Sequence, residues 1–147
     1  MQGESIFGIC NLIAMAGWLL LSVAPRWRWT HLIVTAGLIP LLLGLIYFYL
    51  IVRYFGTAEG GFGSLSDVMK LFSDPNAVLA GWIHYLAFDL FVGSWELRDG
   101  QYHQISHWLL LPCLFLTFMF GPVGLVCYFL IRWAKTKKFL HENFSAR

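Results

Sequence analysis

Leu32-Ile-Val-Thr-Ala-Gly-Leu-Ile-Pro-Leu-Leu-Leu-Gly-Leu-Ile-Tyr-Phe-Tyr-Leu-Ile-Val52 contains no charged side chain. A helix needs roughly 20 apolar residues to cross a hydrocarbon layer, and this stretch meets that requirement. Two other stretches, Ser5–Ala24 and Trp108–Ile131, are also free of charge. Pro75–Trp95 is long enough as well, but it carries His84 and Asp89 near its middle. The rest of the 147 residues agrees: 59% are hydrophobic, 18% aromatic and only 12% charged, with a net charge of +2. Soluble domains carry about a quarter charged residues. A disordered chain would be poor in aromatics, and nucleic acid would demand a basic field. The composition excludes both and leaves no partner role for nucleic acid.

The expected architecture is therefore all-α, an integral membrane four-helix bundle in a single domain. Its spans are expected near 5–24, 32–52, 75–97 and 107–131. Between the second and third spans, Leu65, Val68, Met69 and Phe72 recur at helical spacing, with Asp67, Lys70 and Asp74 among them. Ser64 with Asp67 three residues on is a helix-start signal, so a short amphipathic interfacial helix is expected over 64–73. Trp27, Trp29, Trp95, Trp108 and Trp133 fall near span ends, where indoles favour the headgroup level. Trp18 and Trp82 lie deeper and read as packing residues.

With four crossings, both termini share one side. That side collects Arg53, Lys70, Arg132, Lys135, Lys137, Lys138 and Arg147, against Arg26, Arg28 and Arg98 on the other. Positive charge is retained on the cytoplasmic side, so both termini are expected there. Ser22-Val23-Ala24 resembles a cleavage site, but Glu4 and the length of the run favour a retained span. No plastid-type transit peptide precedes the first span, which points to a multi-pass protein of a bacterial inner membrane. Cys113 and Cys127, on one straight helix, would stand about 21 Å apart and behave as apolar residues. The apolar surface also admits homo-oligomers.

Ionisable groups within a span are expensive and call for a reason. At 100° per residue, Trp82, Tyr85, Asp89 and Glu96 form one stripe, flanked by Gly81 and Gly93. His84 lies on a different face with Phe88 and Phe91. One reading makes Asp89 and His84 glue between helices, bonded to Asn11, Thr35, Thr117 or tyrosine hydroxyls. The other makes them proton-transfer groups in a buried site. Pro40, Pro112 and Pro122 each lack an N–H, which frees the carbonyls of Ala36, Trp108 and Phe118. His103 and His107 have the spacing of a metal pair, but so few histidines argue against a metal, and no cofactor is expected.

Several motifs resemble a known family. They are Gly63-Ser64-Leu65, Leu71-Phe72, Ala80-Gly81-Trp82-Ile83-His84-Tyr85-Leu86-Ala87-Phe88-Asp89-Leu90-Phe91, Leu111-Pro112-Cys113-Leu114 and Phe120-Gly121-Pro122-Val123-Gly124. The chain resembles the abscisic-acid-deficient-4 family, neoxanthin-synthesis membrane proteins of plants and their bacterial relatives. The resemblance implies a carotenoid or other polyene lipid as partner, besides membrane lipids. It also implies an isomerase activity, either trans/cis isomerisation or epoxide-to-allene rearrangement. His84 and Asp89 carry over as motif positions, and His107 joins them as a candidate catalytic residue. Trp82, Tyr85, Tyr47, Tyr49 and Glu96 are the expected substrate contacts. The alternative is a carotenoid-binding or pigment-assembly protein without catalysis.

Overall fold

The computed structural model describes residues 2–137, and every regular element among them is helical. The elements are α1 (Gln2–Val23), α2 (Arg28–Thr30), α3 (Leu38–Tyr54), α4 (Leu65–Leu71), α5 (Pro75–Tyr102), α6 (His107–Phe120) and α7 (Pro122–Thr136). A π-helical turn, His31–Thr35, joins α2 to α3. The all-α class expected from the sequence is what the chain adopts. Three stretches are long and apolar enough to cross a membrane: Gly3–Val23, Arg28–Tyr54 and Pro75–Tyr102.

The central element is α5, which packs against α1, α3, α6 and α7. Its 28 residues reach about 42 Å at the helical rise. Asp74 starts it, accepting from the N–H groups of Asn76 (2.8 Å) and Ala77 (3.0 Å), with Pro75 in the first turn. Gly93 and Gly100 let neighbours come close. A Cβ at Gly93 would meet the Trp18 ring at 2.6 Å, and one at Gly100 would meet Leu110 at 2.6 Å. Trp18 is 5% exposed, a packing residue as expected. The short helix α4 begins at Ser64, whose hydroxyl accepts from the Asp67 N–H at 3.1 Å and donates to the Asp67 carboxylate at 2.7 Å.

The second apolar stretch is interrupted. Gly37 has φ +92°, and α3 starts at Leu38. Pro40 therefore stands in the first turn of a helix, where its missing N–H has no bond to lose. The carbonyl it was expected to free, at Ala36, lies in the break itself.

The fourth stretch departs further from expectation. Residues 107–131 do not form one span: α6 ends at Phe120, and α7 returns alongside it from Pro122. Gly121 makes the reversal, with φ 49° and ψ −101°. Gly124 completes it, because any Cβ there would overlap the Thr117 backbone and hydroxyl and the Cys113 carbonyl. The sulfurs of Cys113 and Cys127 stand 3.6 Å apart across the hairpin, so the expectation that a straight helix separates them is corrected.

Three long helices and a helical hairpin thus stand where four straight helices were expected. Gly3 lies against Leu79 at the start of α5, whereas Arg132 pairs with Asp99 near its end. The two described ends of the chain fall at opposite ends of the bundle. Arg132, Lys135 and Lys137 join Arg26, Arg28 and Arg98, while Arg53 and Lys70 sit at the other end. Lys138 and Arg147 lie outside the described residues.

The hairpin has a direct test. Mild oxidation of the purified protein should join Cys113 to Cys127, recovered as one disulfide-linked peptide pair by mass spectrometry. A straight fourth helix would leave that pair absent.

Candidate functional site

Tyr85, Asp89 and Glu96 share one face of α5, as their spacing predicts, and that face is turned toward the α6–α7 hairpin. Each group answers a specific feature of it. The Tyr85 hydroxyl donates to the Phe118 carbonyl at 3.0 Å, the carbonyl that Pro122 leaves without a helical donor. Asp89 approaches the reversal so closely that a Cβ on Gly121 would lie 3.1 Å from its Oδ1. Glu96 is fully buried and accepts from the Thr117 hydroxyl at 2.9 Å.

Two oxygens on this face stand out. Asp89 Oδ2 and Glu96 Oε2 are buried and geometrically unbonded among the described residues, although the Tyr85 hydroxyl also interacts with the Asp89 carboxyl. A buried polar atom left in that condition is uncommon and calls for an explanation.

The same face continues to Asp99, which the sequence reading missed. Asp99 accepts from the Tyr128 hydroxyl and pairs with the Arg132 Nε at 3.3 Å. The Asp99 and Arg132 side chains are 4% and 2% exposed. His103 Nε2 approaches Asp99 at 3.7 Å, from one turn further along the chain. A signal for Asp99 was present, since it follows Glu96 by three residues. Its partners were hidden because a straight fourth span would carry Tyr128 and Arg132 to the opposite end of the molecule.

The remaining predicted residues are distributed elsewhere. His84 is exposed, with its ring against Phe88 at 4.6 Å and Tyr47 at 5.3 Å, and it does not meet Asp89. His107 bonds the Ser22 carbonyl at 2.8 Å and so faces α1, whereas Glu96 is bonded to Thr117. Because α5 ends at Tyr102 and α6 begins at His107, the spacing of His103 and His107 does not put them on one helical face. Trp82 donates to the Asn11 side chain at 3.1 Å, and its ring lies 5.6 Å from Tyr85. Tyr49 lines an apolar groove of about 370 Å³ between α1 and α3. A second apolar groove of about 320 Å³ runs between α1 and α6 past Trp18 and Phe118. A third cavity of about 320 Å³, near Arg26 and His107, adjoins the start of α6. None of these three touches Asp89 or Glu96.

The family model described as ABA DEFICIENT 4-like matches residues 5–128. The chain belongs to that family. The ABA DEFICIENT 4-like match takes in Tyr85, Asp89, Glu96, Asp99, the Gly121 reversal and Tyr128, and it stops short of Arg132. Protein ABA DEFICIENT 4, chloroplastic, of Arabidopsis thaliana is 28% identical over 139 residues, which is 88% of this chain and 61% of that relative's length. No solved structure matches.

The Asp99–Arg132 pair makes a stability prediction. Removing one member of a buried ion pair costs about 3–5 kcal/mol, because the other charge is left uncompensated. Arg132→Met should therefore lower the melting temperature sharply in detergent solution. The double variant with Asp99→Asn should recover part of the loss, and equal melting of all three proteins would contradict the pairing.

Proposed function

We propose that this chain is an integral membrane protein that isomerises a carotenoid by acid–base chemistry, with Asp89 and Glu96 as the proton-transfer groups. The observation that carries the reading is the pair of buried, incompletely bonded carboxyl oxygens on one face of α5. Family membership supports a carotenoid as the substrate class. Opening an epoxide to an allene needs an acid at the oxygen and a base for the neighbouring vinylic proton. Converting a trans polyene to a cis form by protonation needs an acid, rotation within a delocalised cation, and return of the proton to the base. Both balance without a redox partner. Both also need a water-poor setting, which an apolar bundle supplies.

Tyr85 and Thr117 serve as positioning residues in this scheme, since Tyr85 fixes the hairpin beside Asp89 and Thr117 orients Glu96. His84, exposed among Phe88 and Tyr47, is assigned to contact with the polyene rather than to proton transfer. The second reading, a carotenoid-binding or assembly protein without catalysis, is favoured by the apolar grooves that bypass both carboxyl groups.

Orientation belongs to the same proposal. The end bearing Arg26, Arg28, Arg98, Lys135 and Lys137 faces the compartment in which the chain is made, by the positive-inside rule. The start of α1 then faces the opposite compartment. Reporter domains fused before Met1 and after Arg147 should report opposite sides of the membrane. Identical reports from the two fusions would overturn this arrangement.

The chemistry is tested by carotenoid isomer composition in pigment-making cells at matched protein levels. Asp89→Asn and Glu96→Gln keep volume and hydrogen bonding but cannot cycle a proton. Each should lower turnover on the order of 100-fold or more, while His84→Gln stays within a few fold. Full activity in both carboxyl variants would leave binding as the better reading.

A further inference from the structure

The cavity near Arg26 and the groove beside Trp18 lie along one seam between α1 and α6, on either side of the His107–Ser22 bond. Arg26, Gln101, Gln104, Ser106 and His107 line the first, and no carboxylate does. Its wall is tied together, because Gln101 Nε2 donates to the Pro25 carbonyl at 2.9 Å. His107 stands at the boundary with the groove. Its Nε2 bonds the Ser22 carbonyl, and a carbonyl only accepts, so that nitrogen carries the proton. Nδ1 is itself buried and has no partner among the described residues, so Arg26 is the group that offers the cavity a charge. Below the His107–Ser22 bond, the groove is apolar, walled by Leu19, Leu111, Phe115 and Phe118.

A cationic, donor-rich cavity and an apolar groove on one seam fit a molecule with an anionic head and a hydrocarbon tail. We infer that this seam binds an anionic lipid, with its phosphate or sulfate ester beside Arg26 and His107 and one acyl chain along the groove. The charge distribution supports the choice of head. Arg28, Arg98, Lys135 and Lys137 surround this end of the bundle, so a negative head gains attraction there. A zwitterionic choline head would bring a second cation beside Arg26. The N-terminus of α6 opens at Ser106 and His107, and its partial positive charge acts in the same direction. The inference rests on the chain spanning a membrane and not on its acting on a carotenoid.

The test uses the purified full chain in detergent, without pigment, and reads bound lipid by native mass spectrometry. Phosphatidylglycerol and phosphatidylcholine of identical chains are offered at equal concentration. Phosphatidylglycerol should be retained on the order of fivefold better, and Arg26→Gln should erase that preference. Leu19→Trp fills the tail groove and should reduce retention while the melting temperature holds. Equal retention of the two lipids, or a preference that survives Arg26→Gln, would overturn the site. Displacement by inorganic phosphate at the same concentration would also overturn it, since a free anion would then account for the binding alone.

Discussion

Pro122 has no N–H to give, so the Phe118 carbonyl must find its donor outside its own helix. In a bundle this apolar, water is a poor substitute, and a carbonyl left alone would cost about 1–3 kcal/mol. Tyr85 supplies the donor from α5. That one bond fixes the depth to which the α6–α7 hairpin enters, and the depth sets everything near it. With Phe118 opposite Tyr85, Gly121 arrives beside Asp89, Thr117 meets Glu96, and the returning α7 carries Tyr128 and Arg132 to Asp99.

Small residues make the arrangement sterically feasible, and each acts at a definite place. Gly121 holds a backbone conformation that side chains disfavour, and the same missing Cβ lets the Asp89 carboxyl approach. Gly124 removes the atoms that would otherwise keep α7 from crossing α6. Gly93 and Gly100 do the same for α6 and α1 against α5. The polar groups then occupy a wedge bounded by three closely packed helices. In such surroundings a satisfied polar group rigidifies the structure and an unsatisfied one is costly. Asp99 and Arg132 are paired, whereas Asp89 and Glu96 each keep one oxygen in reserve. The contrast separates a pair that holds the hairpin from carboxyl groups the hairpin leaves incompletely satisfied.

Much of this was legible in the sequence. Charge-free runs and helical periodicity gave the helices, Ser64 gave the start of α4, and the spacing of Tyr85, Asp89 and Glu96 gave the polar face of α5. The Phe118 carbonyl was also foreseen as free, because the loss of a hydrogen bond before proline is local chemistry. The reversal at Gly121 was not legible. A Gly-Pro pair within an apolar run is compatible with a kinked span or with a hairpin. Only the contact of Gly124 with Thr117 and Cys113 decides between them, and no local pattern records that contact. The error about Cys113 and Cys127 and the missed partners of Asp99 both descend from that one ambiguity.

His84 illustrates a different limit. Its spacing from Asp89 already placed it on another face, yet both are ionisable groups near the middle of one apolar helix, which argued for a common task. A helix with neighbours on several sides can assign its polar residues to several tasks at once. On α5, one side meets the hairpin, another meets α1 through Gly93 and Leu90, and a third meets α3 near Tyr47. Asp89 belongs to the first and is held against backbone. His84 belongs to the third and stays exposed between aromatic rings. A group that must exchange a proton with a buried substrate needs the first kind of setting, where its position is fixed and water is scarce. A group that only has to touch a long apolar ligand is better placed in the second.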